Sequence, residues 1–289
     1  MSAALASERP VAKAGRESAE FVRGELEYLV PIRERAYRYA DQVPPGVAPT
    51  NMRYRAQTVV IENARIGRPP ALDREGFAFE TCETAVRDFF DADEVARFYD
   101  IEVEALLRAR TGAARILIFD HTLRRRMPEA NDGRDGFRPP ATRVHVDYTE
   151  KSAPQRVRDL LPEEAERLLA QRFAIINVWR PIGDIVRDAP LAVCDARSVA
   201  VRDLVPADLI YKNRTGEIYY TTFDTRHRWL YVPEMRPDEV ILLKNYDSAK
   251  DGRTRFTPHA AFLDPMAPTW ARPRQSIEVR AIAFFGELA

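Results

Sequence analysis

The sequence has little that would mark a disulfide-bonded, membrane-spanning or nucleic-acid-binding protein. Cys82 and Cys194 are its only cysteines in 289 residues, so it has neither a disulfide framework nor a zinc-finger spacing. We expect both thiols to be reduced and buried. No run approaches 18 apolar residues, which is the length typical of a membrane span. Basic and acidic residues number 44 each, so no excess of positive charge favours nucleic acid or a membrane surface. These absences predict a cytoplasmic protein.

Glycine-rich phosphate loops are also absent. With 12 glycines, the chain has no G-x-G-x-x-G after a strand and no P-loop, which disfavours the nucleotide-binding α/β folds. Residues 1–18 have no apolar core of a signal peptide, and we expect them to form a flexible lead-in. Residues 19–289 are long enough to bury a substantial core, and we expect them to form a single domain.

Short strands dominate the rest of the pattern. Two helices are predicted: one over 91–110, with Asp91 as N-cap and Glu94 at the capping-box position, and one that begins near Pro162. Most of the remaining segments are short and rich in β-branched and aromatic residues, and turns separate them. The predicted class is mainly β with flanking helices (α+β), built as a sandwich or barrel.

The segment "VHVDYT" places His145 and Asp147 two residues apart on a predicted strand. Side chains at i and i+2 point to the same face, so the imidazole and the carboxylate converge, while Tyr148 points to the opposite face. The spacing alone fits either two ligands of a metal site or an ordinary hydrogen-bonded pair.

Two later segments favour the metal site. His259, in "RFTPHAAF", is a candidate third ligand, and "RPRQSIEV" places Arg274 and Ser276 shortly after it. Two histidines and one carboxylate form the facial triad suited to Fe(II). An arginine and a hydroxyl are suited to holding the far end of a dicarboxylate. His227, in "TRHRWLYVPEM", remains the alternative third ligand.

The order of these residues resembles that of the Fe(II)/2-oxoglutarate-dependent dioxygenases. From about residue 50 onward, "LDREGFAF", "FDHTLRRR", "VHVDYT", "INVWRPI", "RFTPHAAF" and "PRQSIEVRA" resemble the gibberellin-desaturase-like and cephamycin 7α-hydroxylase-like family. The resemblance implies a double-stranded β-helix (jelly-roll) core, the cofactors Fe(II), 2-oxoglutarate and O₂, and a small-molecule substrate from secondary metabolism such as antibiotic biosynthesis. It implies iron ligands at His145, Asp147 and His259, and 2-oxoglutarate binding by Arg274 and Ser276. The implied reaction is hydroxylation or desaturation, with ring formation as a third outcome.

Further residues are candidates for contacts with the substrate or with the metal-binding side chains. Asn177, Trp179 and Arg180 are expected to share one face of a strand. Arg280 is an alternative 2-oxoglutarate anchor, and Lys244 either reaches solvent or touches the co-substrate. We interpret His121 as structural and the Arg124–Arg126 run as a solvated face from which one member reaches an anionic substrate. The list of possible contacts is His227, Asn177, Trp179, Arg180, Tyr148, Lys244 and Arg280.

Other interpretations stay open at this point. A triad of this kind also binds zinc in hydrolases, and a methyltransferase-type tailoring enzyme or a non-catalytic jelly-roll binding protein are further alternatives. The oligomeric state is open, with a homodimer as one outcome.

Overall fold

The computed structural model describes residues 19–127 and 138–286, and its regular structure is mainly β-strand. The predicted lead-in, residues 1–18, lies outside the described residues. The described strands are β1 Phe21–Leu29, β2 Ala36–Tyr39, β3 Tyr54–Asn63, β4 Phe77–Thr81, β5 Arg115–Arg125, β6 His145–Val146, β7 Phe173–Pro181, β8 Leu191–Cys194, β9 Leu204–Ile210, β10 Thr215–Thr221, β11 Trp229–Tyr231, β12 Glu239–Asp247, β13 His259–Ala261 and β14 Gln275–Phe284. The described helical segments are α1 Ala92–Glu94, a π-helical turn Val95–Tyr99, α2 Asp100–Thr111, α3 Ser152–Leu160, α4 Ala165–Leu169 and the 3₁₀ turns Ala196–Ser198 and Val201–Asp203.

The strands form two sheets. One has the order β4-β12-β7-β14-β5, and the other has the order β1-β3-β11-β8-β13-β6-β10-β9-β2. Neighbouring strands are antiparallel, except for the parallel pairs β3–β11 and β2–β9. The two sheets enclose a jelly-roll core, which agrees with the predicted double-stranded β-helix.

The central strands of the five-stranded sheet are covered on both faces. Every residue of β7 and β12 is buried, as expected for strands that pack against other elements on each side. On the inner face, Trp179 and Ile241 pack with Leu191 and Val193 of the other sheet. On the outer face, the same sheet packs against the helical segments that begin with α1. The inner face therefore forms one wall of the jelly-roll interior.

The first predicted helix forms, with an interruption. Asp91 caps it, since its Oδ1 accepts from the backbone N–H of Asp93 (2.9 Å) and of Glu94 (3.2 Å). The Glu94 carboxylate instead accepts from the backbone N–H groups of Arg87 and Asp88. The π-helical turn ends at Tyr99, and the regular α2 begins at Asp100.

Several elements differ from the sequence-based expectation. Strands β1 and β2 and helix α3 were not predicted. The second predicted helix begins at Ala165 rather than near Pro162, because residues 162–164 form a turn. In the described residues, no helix is both long and apolar enough to span a membrane.

Candidate metal centre

The centre of the site lies where β6 meets β13. His145 and His259 are directly paired across these two antiparallel strands, and Asp147 follows His145 by two residues. Paired residues point to the same face, as do residues i and i+2. Ligand atoms of the three side chains therefore lie within 4.8 Å of one another, and no other group of this kind occurs among the residues that the structure describes.

The two imidazoles are held in one orientation by the backbone. His145 Nδ1 is 2.7 Å from the carbonyl oxygen of Arg143, and His259 Nδ1 is 3.1 Å from that of Thr257. An Nδ1–H that donates to a carbonyl leaves Nε2 as a lone-pair donor, which is the form that binds metals. Burial, together with the neighbouring His145, lowers the pKa of His259 to about 4. His259 is therefore neutral at physiological pH and able to act as a ligand.

The carboxylate of Asp147 has two distinct oxygens. Oδ2 accepts from Asn177 Nδ2 at 2.8 Å and from Arg280 Nε at 2.9 Å, whereas Oδ1 lies 3.4 Å from His145 Nε2. Burial alone would raise the pKa of Asp147, but the charge of Arg280 and the contact with His145 hold it well below its usual range. One ionised oxygen is thus left to face the two imidazoles.

This donor set fits Fe(II). Two imidazole nitrogens and one carboxylate oxygen converge from one side, as in the facial triad of non-haem iron oxygenases, which leaves positions for exogenous ligands. The chain itself offers His145, Asp147 and His259 for this purpose.

A buried guanidinium lies in the same cavity. Arg274 lines the cavity together with His145 and His259. Its Nη1 donates to the Ala189 carbonyl at 2.7 Å, while its Nε has no partner in the described part of the chain. Burial, and then the charge of Arg124, lower the pKa of Arg274 to about 9. A buried guanidinium that donates no hydrogen bond to a carboxylate is suited to binding an anion.

Trp179 also lines this cavity, and Ser276 follows Arg274 by two residues. The Ser276 hydroxyl is buried and has no hydrogen-bond partner among the described residues. The Arg274 guanidinium lies 5.2 Å from the Trp179 ring centroid. A hydroxyl and a guanidinium that both lack a strong acceptor fit the carboxylate group of 2-oxoglutarate.

Arg280 is not available as an anchor for 2-oxoglutarate, contrary to that alternative prediction. Besides Asp147, its guanidinium contacts Asp120, Thr122 and Glu278. It therefore acts on the metal ligand rather than on a co-substrate.

The prediction that Asn177, Trp179 and Arg180 share a face is wrong for Arg180. Residues 177 and 179 have the same parity on β7 and face the interior, whereas residue 180 points to the other side. There the Arg180 guanidinium donates to Tyr99 Oη at 3.0 Å and to the carbonyls of Pro237 and Cys82, each at 2.7 Å.

His227 lies outside the cluster. It is buried, with Nδ1 3.3 Å from Tyr28 Oη and Nε2 3.2 Å from Asp203 Oδ2. Both ring nitrogens are thus engaged by protein groups. Only 9% of His227 is accessible.

Two other predicted contacts lie elsewhere. Lys244 neither reaches solvent nor faces the co-substrate cavity, because its ammonium is buried against Asp73 and Asp247. Tyr148 points away from Asp147, as predicted, and packs edge-on against Phe119 at 6.4 Å between ring centroids.

One site residue was missed by the sequence-based reasoning. Glu278 accepts from Asn177 and from Arg280, and its position two residues after Ser276 was the available signal. Within the Arg124–Arg126 run, Arg124 is half-buried and lines the cavity with Arg274, so it is the member to which the prediction of a contact with an anionic substrate applies. His121, in contrast, is structural as expected, since it joins β5 to α2 through Asp100.

The cavity lined by Phe89, Val95, His121 and Ile277, between α1 and β5, is larger, at about 400 Å³. None of the three clustered ligand residues lines it. It is therefore separate from the metal centre.

The chain is similar to a family model, to named enzymes and to solved structures. A family model described as "Oxidoreductase/YMDC permease-like domain" matches residues 26–284. The chain is 35% identical over 261 residues to "Hydroxylase/desaturase efuI" of Hormonema carpetanum, covering 83% of this chain and 87% of the relative. It is 34% identical over 250 residues to "Fe(II)/2-oxoglutarate-dependent dioxygenase nvfI" of Aspergillus novofumigatus, covering 84% and 88%. A solved structure of the "iron and alpha-ketoglutarate-dependent endoperoxidase NvfI" superimposes with a TM-score of 0.84 at 31% identity, covering 93% of this chain and 99% of that one.

Proposed function

The chain belongs to the family of Fe(II)/2-oxoglutarate-dependent dioxygenases, and from that premise we propose that His145, Asp147 and His259 bind its iron and that Arg274 and Ser276 hold its 2-oxoglutarate. The protein is an oxygenase that uses Fe(II), 2-oxoglutarate and O₂ to oxidise a small natural-product intermediate. The convergence of three ligand atoms within 4.8 Å is the observation that carries the assignment of residues.

The residues divide the work as follows. The Nε2 atoms of His145 and His259 and Oδ1 of Asp147 are the donors to the metal, since their other polar atoms are engaged by the protein. Arg274 and Ser276 bind the distal carboxylate of 2-oxoglutarate and so orient its keto acid end toward the triad. When bound, the iron supplies the O₂ chemistry that oxidises a substrate C–H bond while 2-oxoglutarate is converted to succinate and CO₂.

We propose hydroxylation or desaturation as the outcome. The relative from Hormonema carpetanum is named a hydroxylase/desaturase, and it matches 83% of this chain. Ring formation stays a third outcome, because the structural neighbour is named an endoperoxidase. The hydrolase, methyltransferase and non-catalytic alternatives gain no support from these relatives, which are named as oxygenases.

Two further proposals concern the number of domains and the oligomeric state. We propose that residues 19–289 act as one domain, because a shared hydrophobic cluster connects the two sheets. A homodimer stays a prediction, and light scattering coupled to size-exclusion chromatography measures it.

The assignment of the triad is tested by anaerobic titration of the protein with Fe(II) and 2-oxoglutarate, followed by the weak visible charge-transfer band of the chelate. We expect His145→Ala and His259→Ala to abolish the band. His121→Ala is the matched control, because this histidine lies on β5 away from the triad, and its band should equal that of the wild type. Loss of the band in His227→Ala with retention in His259→Ala would reverse the choice of third ligand.

A further inference from the structure

Arg124 faces the same interior as the proposed co-substrate residues. On the paired strands β5 and β14 it lies directly opposite Ser276, and cross-strand partners project to one face. It also lines the small cavity that contains Arg274 and the imidazoles of His145 and His259. Its neighbour Arg125 has the opposite parity on β5.

Neither guanidinium in this cavity has a carboxylate partner within hydrogen-bond distance in the described residues. Arg124 Nη1 donates to the Pro139 carbonyl at 2.8 Å, and Arg274 Nη1 donates to the Ala189 carbonyl. The carboxylate of Glu278 also lines this cavity and attracts both guanidinium groups, but the hydrogen bonds that it accepts come from Asn177 and Arg280.

Two like charges therefore share a small, desolvated space. Burial lowers the pKa of Arg124, and the charge of Arg124 in turn contributes to the lowered pKa of Arg274. Such an arrangement is unfavourable without an anion, and favourable once a carboxylate lies between the two groups. An acidic ligand would supply the hydrogen-bonded carboxylate that both guanidinium groups lack in the described residues.

We propose that Arg124 is a second arginine for the distal carboxylate of 2-oxoglutarate, so that this group is held between Arg124 and Arg274 and also accepts from Ser276. This inference rests on the proposed function. The pairing of Arg124 with Ser276 favours the co-substrate over the primary substrate as its ligand, because the serine hydroxyl belongs to the same carboxylate site.

The test compares two keto acids of equal chain length. 2-Oxoglutarate has the distal carboxylate, whereas 2-oxopentanoate has a methyl group in its place. Their affinities are measured by anaerobic calorimetry on the Fe(II)-loaded wild type, Arg124→Gln and Arg124→Lys. We expect Arg124→Gln to weaken 2-oxoglutarate about 10- to 100-fold, as for loss of a charge-assisted hydrogen bond, and to leave 2-oxopentanoate unchanged. The affinity of Arg124→Lys for 2-oxoglutarate should lie between those of the wild type and Arg124→Gln.

Arg125→Gln is the matched control, from the same strand but the opposite face, and should alter neither affinity. Thermal unfolding provides a second measurement. Without ligand, Arg124→Gln should be as stable as the wild type or more stable, because one of two repelling charges has been removed. The increase in stability on addition of 2-oxoglutarate should be smaller in Arg124→Gln than in the wild type. Unchanged 2-oxoglutarate affinity in Arg124→Gln would overturn the proposal. If this variant also had a raised Michaelis constant for the primary substrate, Arg124 would be assigned to that substrate instead. Equal weakening of both keto acids would also overturn it. Absence of 2-oxoglutarate binding in the wild type would instead contradict the proposed function.

Discussion

Asp147 depends on two neighbours for the orientation of its carboxylate. Asn177 and Arg280 both donate to Oδ2, so rotation of the group would break two hydrogen bonds. Arg280 also separates Asp147 from Glu278, since it contacts both carboxylates. The orientation of one proposed iron ligand is therefore set by residues outside the proposed triad.

Replacement of Arg280 by Gln should weaken metal binding. The variant loses a donor to Asp147 and leaves two buried carboxylates without their shared cation. We expect Fe(II) affinity to fall about 10- to 100-fold, the range typical for loss of an outer-shell partner, measured anaerobically by competition with a chelator. Arg110→Gln, which removes an exposed guanidinium bound to Glu80, is the control. An unchanged metal affinity in Arg280→Gln would show that Asn177 alone orients the carboxylate.

The residues of the site were predictable to different extents. The i, i+2 spacing of His145 and Asp147 is readable because strand geometry fixes their common face. The choice of His259 over His227 depended on a resemblance, since which distant strand pairs with β6 is a matter of topology. The contacts of Arg280 with Asp120 and Asp147 were not predictable for the same reason, since both residues are far from β14 in sequence, whereas Glu278 lies two residues before Arg280 on the same strand.

At the scale of elements, the helical segments that begin at α1 cover the outer face of the sheet that carries Asn177 and Ser276. The cap at Asp91 stabilises the first turn, where helix N–H groups otherwise lack partners. The π-helical turn Val95–Tyr99 interrupts the helix and is followed by a regular α2.

Asp91→Ala should therefore destabilise the protein without affecting the metal centre. Loss of an N-cap that accepts two backbone hydrogen bonds costs about 1 kcal/mol, and urea unfolding measures it. Asp93→Ala, at an exposed position of the same turn, is the control and should cost less. Equal losses in the two variants would mean that the charge of the first turn, rather than the cap, stabilises this helix.

Some elements were readable from the sequence and others were not. The N-cap at Asp91 was readable because the hydrogen bonds of a cap are local. Strand β1 was not recognised, because its pairing with β3 is long-range and its alternating burial includes few β-branched residues. Helix α3 was missed because its apolar face is narrow, with Ala153 and Val157 as its buried residues.

At the scale of the whole molecule, two buried arginines differ in the number of hydrogen bonds that their side chains donate. Arg180 joins the covering helical segment to the five-stranded sheet, through Tyr99 and two carbonyl groups. Arg274 lies on the other side of that sheet and makes one side-chain hydrogen bond, to Ala189. Their burial is similar, at 0% and 3% accessible, so the two arginines differ in the number of hydrogen bonds that their side chains donate in the described residues and not in burial. This difference supports the proposal that Arg274 binds a ligand.

Paired replacement by Met, which keeps much of the apolar stem, should separate the two roles. Arg180→Met leaves a hydroxyl and two carbonyls without a donor, so we expect a loss of about 2–4 kcal/mol in the free energy of unfolding, with 2-oxoglutarate affinity retained. Arg274→Met removes one hydrogen bond but also the repulsion from Arg124, so stability should change by less than about 1 kcal/mol, while 2-oxoglutarate affinity falls steeply. Chemical unfolding and anaerobic calorimetry on the same preparations measure both quantities. If Arg274→Met lost more stability than Arg180→Met, then the Arg274 guanidinium would be part of the packing of the jelly roll. The number of satisfied donors would then not distinguish the roles of the two arginines.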